Sequence, residues 1–136
     1  MITQTQKSEY LLMIRTNEWY NRLSVDELQK IMHESKTWFE RLAAQGKAKP
    51  GQALAREGAT VSGKTGRVVI DGPYAESKEA IGGFMVLQAD SLEEAIAVAK
   101  SMPIVAYGST IEVRPLAEEC PLDARARELE EQLANA

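Results

Sequence analysis

The residues best suited to chemistry stand together in one short segment, Asp71-Gly72-Pro73-Tyr74, with Glu76 close behind. A carboxylate at the end of a strand can act as a general base or bind a small ligand, and the tyrosine adds a hydroxyl and an aromatic face. The Gly-Pro pair makes a tight bend, so a fixed connection between two strands explains the same residues. The segment therefore predicts either a pocket around Asp71, Tyr74 and Glu76 or a structural turn.

Two further side chains, His33 and Cys120, are of types that can take part in catalysis. His33 is the only histidine, so any histidine acid/base chemistry must use it, although a position on a helix surface or subunit interface also explains it. With one histidine and one cysteine, the chain is not expected to hold a metal. Cys120 lies between Glu119 and Pro121, where neighbouring negative charge disfavours a reactive thiolate. No G-x-S-x-G motif is present, so a serine hydrolase of that type is not expected.

The segment GATVSGKT, residues 58–65, matches the phosphate-loop pattern G-x-x-x-x-G-K-[ST]. Phosphate binding by that motif requires a helix that starts at the Lys-Thr pair, so that its backbone N–H groups face the phosphates. Here Lys64 and Thr65 are followed by Gly66 and a β-branched run. The pattern therefore predicts a hairpin turn and no nucleotide site.

Composition predicts one soluble domain. The chain has 136 residues, of which 44% are hydrophobic and 26% charged, and a net charge of -4 that disfavours binding to nucleic acid. The lone Cys120 forms no internal disulfide, which favours a cytoplasmic location. Neither a signal peptide nor a membrane-spanning run is expected.

Apolar spacing in the first third of the chain predicts a strand and a helix. The run from Tyr10 to Ile14 predicts a buried strand, and Ser24 with Glu27 forms a capping box before a long amphipathic helix that ends at Gly46. The predicted apolar stripe of this helix consists of Leu28, Ile31, Met32, Phe39 and Leu42, with Trp38 beside it.

The middle of the chain is predicted to be β-structure. Pro50 and Gly51 interrupt an extended segment, which is typical of an edge or irregular strand. Gly63 and Gly66 frame the turn of a hairpin whose return strand contains residues 68–70. A further buried strand is predicted from Gly82 to Ala89, where the glycine pair permits a close backbone approach or a positive φ.

The last third predicts a helix, a strand and a tail helix. Ser91 and Glu94 form a second capping box, Pro103 ends the helix that follows, and residues 109–116 form the last strand. In the tail, apolar residues at i, i+4, i+7 and i+11 predict a short helix that docks on its own domain or on a second subunit. These residues are Leu122, Ala126, Leu129 and Leu133.

The predicted order β-α-β-β-β-α-β plus a tail helix is close to the split βαβ plan of ferredoxin-like α+β domains. Such a sheet carries helices on one face, and a second copy of the chain is the simplest cover for the other. We therefore expect a homodimer with two sheets back to back. The expected boundaries are a disordered N-terminus at 1–8, a domain at 9–117 and a helical tail at 118–136.

The segment VIDGPYAESKEAIGGFMVLQADSLEEAIAVAKSMP, together with the later YGSTIEVRPL, resembles the YCII-related family. In particular, it resembles the branch whose motif runs D-G-P-F-A-E-T-K-E, followed by a G-G-[FY] strand, a D-x-x-E-A helix and an E-V-R-P strand. Residues 10–116 can be laid along this pattern. Tyr74 and Ser77 depart from it by replacing Phe and Thr.

This resemblance implies a dimeric α+β barrel of ferredoxin-like subunits, and no established activity. Some relatives carry a helix His paired with an Asp, but here Ser35 occupies the His position and Met102 the Asp position, with His33 two residues out of register. The resemblance thus implies that this acid/base pair is absent. It also implies, by association, a regulatory role beside extracytoplasmic-function sigma factors.

The preferred hypothesis is a homodimeric small-molecule-binding or regulatory protein without a cofactor, whose pocket is bordered by Asp71, Gly72, Pro73, Tyr74, Glu76 and Arg15. The alternative is a cofactor-independent lyase or isomerase acting on a small, perhaps aromatic, metabolite. Asp71 would be its base, with Tyr74 or His33 assisting. A third hypothesis, a structural partner of a transcription factor, predicts no ligand pocket.

Overall fold

The computed structural model describes residues 8–71 and 80–136 of the chain. Within these ranges, short 3-10 helices precede the first α-helix at Trp19–Arg22 and follow the second at Pro103–Tyr107. The strands are β1 (Ser8–Thr16), β2 (Ala48–Ala53), β3 (Ala59–Ser62), β4 (Val68–Asp71), β5 (Ala80–Ala89) and β6 (Thr110–Pro115), and the helices are α1 (Val25–Ala44), α2 (Leu92–Lys100) and α3 (Pro121–Ala134). No helix in these ranges is both long and apolar enough to cross a bilayer.

Four strands form one sheet in the order β2-β5-β1-β6, and every neighbouring pair is antiparallel. Since α1 links β1 to β2 and α2 links β5 to β6, the topology is that of a ferredoxin-like split βαβ domain. The predicted α+β, ferredoxin-like fold of the subunit is therefore confirmed, while the dimeric barrel stays a prediction. The predicted strand count was wrong, because four strands and not three lie between the helices: β3 and β4 pair with each other in a separate two-stranded sheet.

The β3–β4 hairpin confirms the turn predicted for residues 58–65. Gly63 and Gly66 both have positive φ, 90° and 69°, and the Gly66 N–H donates to the Gly63 carbonyl at 3.0 Å. Lys64 and Thr65 form the turn between them, and β4 follows where a phosphate loop requires a helix. Glycine is needed at both ends of this turn because other residues rarely adopt such φ values.

The ends of α1 follow the predicted capping. The Ser24 hydroxyl accepts from the Glu27 N–H at 3.2 Å, and the Glu27 carboxylate accepts from the Ser24 N–H at 3.0 Å. This reciprocal pair holds the pKa of Glu27 below its ordinary value, chiefly through the hydrogen bond from the Ser24 backbone. Gly46, with φ of 72°, lies just beyond the other end of the helix.

The cap of α2 differs from the prediction. The Ser91 hydroxyl accepts from the Glu94 N–H at 3.1 Å, as expected, but the Glu94 carboxylate accepts from the Asp90 N–H at 3.4 Å and not from Ser91. Half of the predicted capping box is therefore present. The helix also ends at Lys100, and Pro103 begins the 3-10 helix that follows.

The core lies between the sheet and the two helices that cover one of its faces. Leu12 of β1 and Leu87 of β5 are fully buried, and Ala95 and Ala99 bring α2 against them. On α1, Ile31 and Leu42 are buried as predicted, whereas Met32 is 68% exposed. Met32 lies roughly 100° around the helix from Ile31, which turns it away from the sheet.

The opposite face of the sheet, the open face, carries alternate residues of the same strands. Leu11 and Met13 of β1 and Phe84 and Val86 of β5 are half-buried in the single chain. The register pairs Leu11 with Val86 and Met13 with Phe84, so these four side chains form one apolar strip.

An ion pair lies beside the strip, where Arg15 of β1 donates to Glu112 of β6. Arg114 adds a second contact to Glu112 at 3.5 Å. The hydrogen bond from Arg15 is the main cause that holds the pKa of Glu112 below its ordinary value of 4.5. The two side chains are 38% and 30% exposed, so water screens the pair only in part.

The predicted irregular strand is β2, which forms one edge of the sheet. Its register against β5 shifts between Lys49 and Gln52, and Pro50 lies in this bulge, where no ladder donor is needed. Gly51 approaches β5 so closely that a Cβ there would overlap the carbonyl group of Phe84 and lie 2.7 Å from the Met85 Cα. The bulge therefore requires glycine.

Gly51→Ala is expected to lower the free energy of unfolding by about 1–3 kcal/mol, because the new methyl group meets backbone that cannot rotate away. Urea unfolding measures the change. Gly58→Ala is the matched control, since a Cβ at Gly58 has no heavy atom within 4 Å and should change stability by no more than about 0.5 kcal/mol. Equal losses of stability in the two variants would contradict the close approach of Gly51 to β5.

Glu112→Gln is expected to destabilise the protein at neutral pH and to have little effect in acid. Because the folded-state pKa of Glu112 is depressed, its charge stabilises the fold fully above the ordinary value of 4.5, and this contribution is lost as pH falls through the folded-state pKa. Urea unfolding of the wild type and the variant, measured from neutral pH down into acid, shows whether their midpoints become equal as pH falls. Glu40→Gln, at an exposed position of α1, is the control for the loss of one negative charge.

Candidate functional site

A cavity of about 320 Å³ opens between α1 and the β2 edge of the sheet. It forms where the bulged strand β2 bends against β5 and where the 3-10 helix after α2 closes one end. The residues that line it are Ile14 of β1; Ser35, Trp38 and Phe39 of α1; Gly51, Gln52 and Ala53 of β2; Gly82, Gly83, Phe84 and Met85 of β5; and Met102, Pro103 and Ile104.

Glycines make the sheet side of the cavity flat. Gly51, Gly82 and Gly83 all line it; Gly51 and Gly83 lie close to the backbone of a neighbouring strand, and Gly82 lies close to the Thr16 side chain. A Cβ at Gly82 would lie 2.8 Å from the Thr16 Cγ2, and one at Gly83 would lie 3.0 Å from the Gln52 carbonyl oxygen. Neither residue has a positive φ, so close approach is the reason for this predicted glycine pair.

The helix side of the cavity is aromatic and held in place. The Trp38 indole N–H donates to the Ser101 hydroxyl at 2.7 Å, and that hydroxyl donates to the Val98 carbonyl at 2.6 Å. This chain ties α1 to the end of α2 and satisfies the polar atom of the indole. Trp38 and Phe39 therefore offer the cavity an apolar surface.

Among the described residues, no ionisable side chain lines the cavity. Ser35 supplies a hydroxyl and Gln52 an amide; the other lining residues are apolar or glycine. The described part of the chain also contains no group of three or more His, Cys, Asp or Glu side chains that could hold a metal ion. These side chains can bind and orient a molecule through contact and hydrogen bonds.

The structure brings together the two positions that the family resemblance singled out. Ser35, halfway along α1, and Met102, just before Pro103, both line this cavity. His33 lies two residues before Ser35, or roughly 200° around the helix, and its side chain is exposed. Ser35 lies four residues after the buried Ile31, which places its hydroxyl on the core side of α1.

Of the residues predicted to border a pocket, the structure describes Arg15 and the backbone of Asp71. Arg15 lies on the open face, where it pairs with Glu112, and it does not line the cavity. Asp71 ends β4, where its backbone pairs with Ala59. The side chain of Asp71, together with Gly72, Pro73, Tyr74 and Glu76, falls outside the described residues, so the predicted role of this segment stays a prediction.

Sequence reasoning named Trp38 and Gly51 without connecting them to a site, and it did not name Ile104. The helical spacing of Ser35 and Trp38, three residues apart, places both on one side of α1 and could have joined them. Gly51 carries no comparable signal, because its contact with β5 depends on the register of a bulged edge strand.

Comparison with known proteins identifies a family and a relative of the chain. The YCII-related domain matches residues 8–119 of the chain. An uncharacterised protein of Rhizobium meliloti (strain 1021) is 31% identical over 106 residues, which cover 75% of this chain and 82% of that protein. Among solved structures, 5-chloro-2-hydroxyhydroquinone dehydrochlorinase from Burkholderia phenoliruptrix AC1100, in complex with 2,5-dihydroxybenzoquinone, aligns at 18% identity and a TM-score of 0.43, covering 82% of this chain and 95% of that one.

The match to the YCII-related domain extends from the first strand past the last strand of the four-stranded sheet. It therefore includes every element that lines the cavity. The protein belongs to the YCII-related family.

Proposed function

We propose that the protein is a homodimeric small-molecule-binding protein whose cavity takes a small, uncharged, flat molecule with an aromatic ring. The observation that carries this proposal is the absence of ionisable side chains among the described residues that line the cavity. The size of the cavity, about 320 Å³, lies at the lower end of the range for small-molecule sites.

The lining selects against charged ligands. Moving a carboxylate or ammonium group from water into an apolar site is strongly unfavourable unless a partner of opposite charge is present. Ser35 and Gln52 can form hydrogen bonds, but neither carries a charge. A neutral molecule with one hydroxyl or carbonyl group would match this lining.

The shape of the cavity favours a ring. Gly51, Gly82 and Gly83 present backbone without side chains on the sheet side, and Trp38 and Phe39 face the cavity from α1. A planar ring can lie against peptide groups and contact aromatic rings with offset or edge geometry. Ser35, on the same helix, is positioned to exchange a hydrogen bond with a substituent of that ring.

Binding is favoured over catalysis for this cavity. Proton transfer at neutral pH requires a group such as His, Asp, Glu or Lys within hydrogen-bond reach of the substrate, and the described lining offers none. The alternative of a lyase or isomerase therefore depends on Asp71 and the segment after it. A regulatory role beside a sigma factor, and membership of the branch with the DGPF motif, remain proposals from the sequence resemblance.

The homodimer is proposed from the open face. Leu11, Met13, Phe84 and Val86 form an apolar strip, while the two helices that pack on the sheet cover the other face. A contiguous apolar strip rimmed by charged residues such as Arg15 and Glu112 is typical of an interaction surface. A second copy would place the same strip opposite itself in a symmetric interface.

Ligand selectivity tests the cavity directly. In thermal unfolding and titration calorimetry, 2-naphthol is expected to stabilise the wild-type protein by about 2.7 kcal/mol at a hundred times its dissociation constant. The anion 2-naphthoate, of nearly the same shape, is expected to give no shift, because its carboxylate finds no cationic partner.

Ser35→Leu is expected to weaken the response to 2-naphthol, because it removes the hydroxyl and narrows the cavity. Thr37→Leu, at an exposed position on the same helix, is the matched control and should retain it. Equal responses of the two variants, or equal binding of naphthol and naphthoate, would contradict the proposed site.

Leu11→Asp is expected to convert the dimer to a monomer, because it would leave an unpaired carboxylate inside the interface. The dimer dissociation constant should rise by at least about a hundredfold. Light scattering coupled to size-exclusion chromatography over a concentration series measures this change. Val61→Asp, at a 63% exposed position of the β3–β4 hairpin, is the control. A dimer unaffected by Leu11→Asp would place the interface elsewhere.

A further inference from the structure

The C-terminal helix α3 carries an apolar stripe with heptad spacing. Leu122, Ala126, Leu129 and Leu133 are separated by four, three and four residues, which is the d-a-d-a pattern of a coiled-coil seam. The helix has 14 residues, so the stripe covers its length.

This stripe faces away from the rest of the subunit. Leu122 is 79% exposed, Leu129 43% and Leu133 77%. Within α3, which is described throughout, Ala124 is the one residue that is partly buried. Ala124 lies roughly 200° around the helix from Leu122, so the leucines occupy the side opposite to the one that is partly covered.

The charges that flank the stripe are complementary to a second copy of the same helix. If Ala126 and Leu133 occupy a positions, Arg125 is at g and Glu130 at the following e. In a parallel pair of helices each g residue lies beside the e residue five positions later in the partner, so Arg125 and Glu130 would meet twice across the symmetry axis.

An antiparallel pair has the opposite electrostatics. Antiparallel helices place e beside e, which would bring Asp123 close to Glu130 of the second copy and set like charges together. Within one helix, Arg125 contacts Glu128 at 3.4 Å. Both side chains are more than half exposed, so this contact is weak and leaves Arg125 able to change partner.

We infer that the α3 helices of two copies pair in parallel as a short coiled coil. A helix of this length pairs poorly by itself, and the inference therefore rests on the proposed homodimer, which would hold two copies of α3 at a high effective concentration. The pairing would cover the leucine stripe and add a second contact to the interface formed by the open faces of the sheets.

Disulfide trapping in the full-length chain tests the pairing and its direction. With Cys120→Ser removing the native thiol, Leu133→Cys is expected to form an intersubunit disulfide on the order of ten times faster than Glu131→Cys, because only a seam position brings two Cα atoms within bonding distance. In an antiparallel pair the two copies of residue 133 would be roughly 16 Å apart along the axis, too far to bond.

A charge exchange provides the second measurement. In the Leu133→Cys, Cys120→Ser background, Arg125→Glu is expected to slow disulfide formation by placing like charges together, and Arg125→Glu with Glu130→Arg is expected to restore it. If Arg125→Glu slowed disulfide formation only by weakening the α3 helix itself, the added Glu130→Arg would not restore the rate. The double variant does not restore the Arg125–Glu128 contact within the helix.

The outcomes separate the two proposals. A dimer in which Leu133→Cys and Glu131→Cys react at the same rate would overturn the helix pairing and leave the sheet interface standing. A wild-type chain that is monomeric at every concentration would overturn both the sheet interface and the pairing, while the naphthol titration would still decide the ligand cavity.

Discussion

Burial of one face of the sheet under α1 and α2 is the interaction on which the rest of the structure depends. Leu12 and Leu87, on the two central strands, lose all contact with water there, and each such burial contributes roughly 1.5–3 kcal/mol. The helices must lie over these central strands to cover them. At the β2 edge the sheet presents glycines in place of larger side chains. There α1 leaves a gap, and that gap is the cavity.

The chemistry of the cavity follows from how this gap is bounded. Most of its described walls are parts of the fold that would otherwise form core, so most of their side chains are apolar. The indole N–H of Trp38 is satisfied by Ser101 outside the cavity. Charged side chains lie on other surfaces, as the pair of Arg15 and Glu112 on the open face illustrates. In the proposed function, the described lining would discriminate between ligands by shape and by its lack of charged side chains, and Ser35 would add one directional contact.

The sequence predicted the elements well because their signals are local. The capping box of Ser24 and Glu27 and the hairpin glycines 63 and 66 each depend on residues within four positions of one another. The site was less predictable because the residues that form it are far apart in the chain. Ser35 of α1, Gly51 and Ile104 come together only when β2 pairs with β5 in its register and the 3-10 helix after α2 lies beside them. The resemblance located Ser35 and Met102, but it could not supply the bulge that puts Gly51 against Phe84.

Two apolar surfaces of the described chain lie outside the core: the strip on the open face and the leucine stripe on α3. The strip at Leu11 and Val86 exists because β1 and β5 alternate apolar residues on both faces while helices cover one of them. The stripe on α3 exists because Ala124 faces the subunit and the leucines face away. A binding protein with a neutral ligand has no need of either surface for its cavity. The proposed second copy of the chain would supply a matching partner for each surface by symmetry.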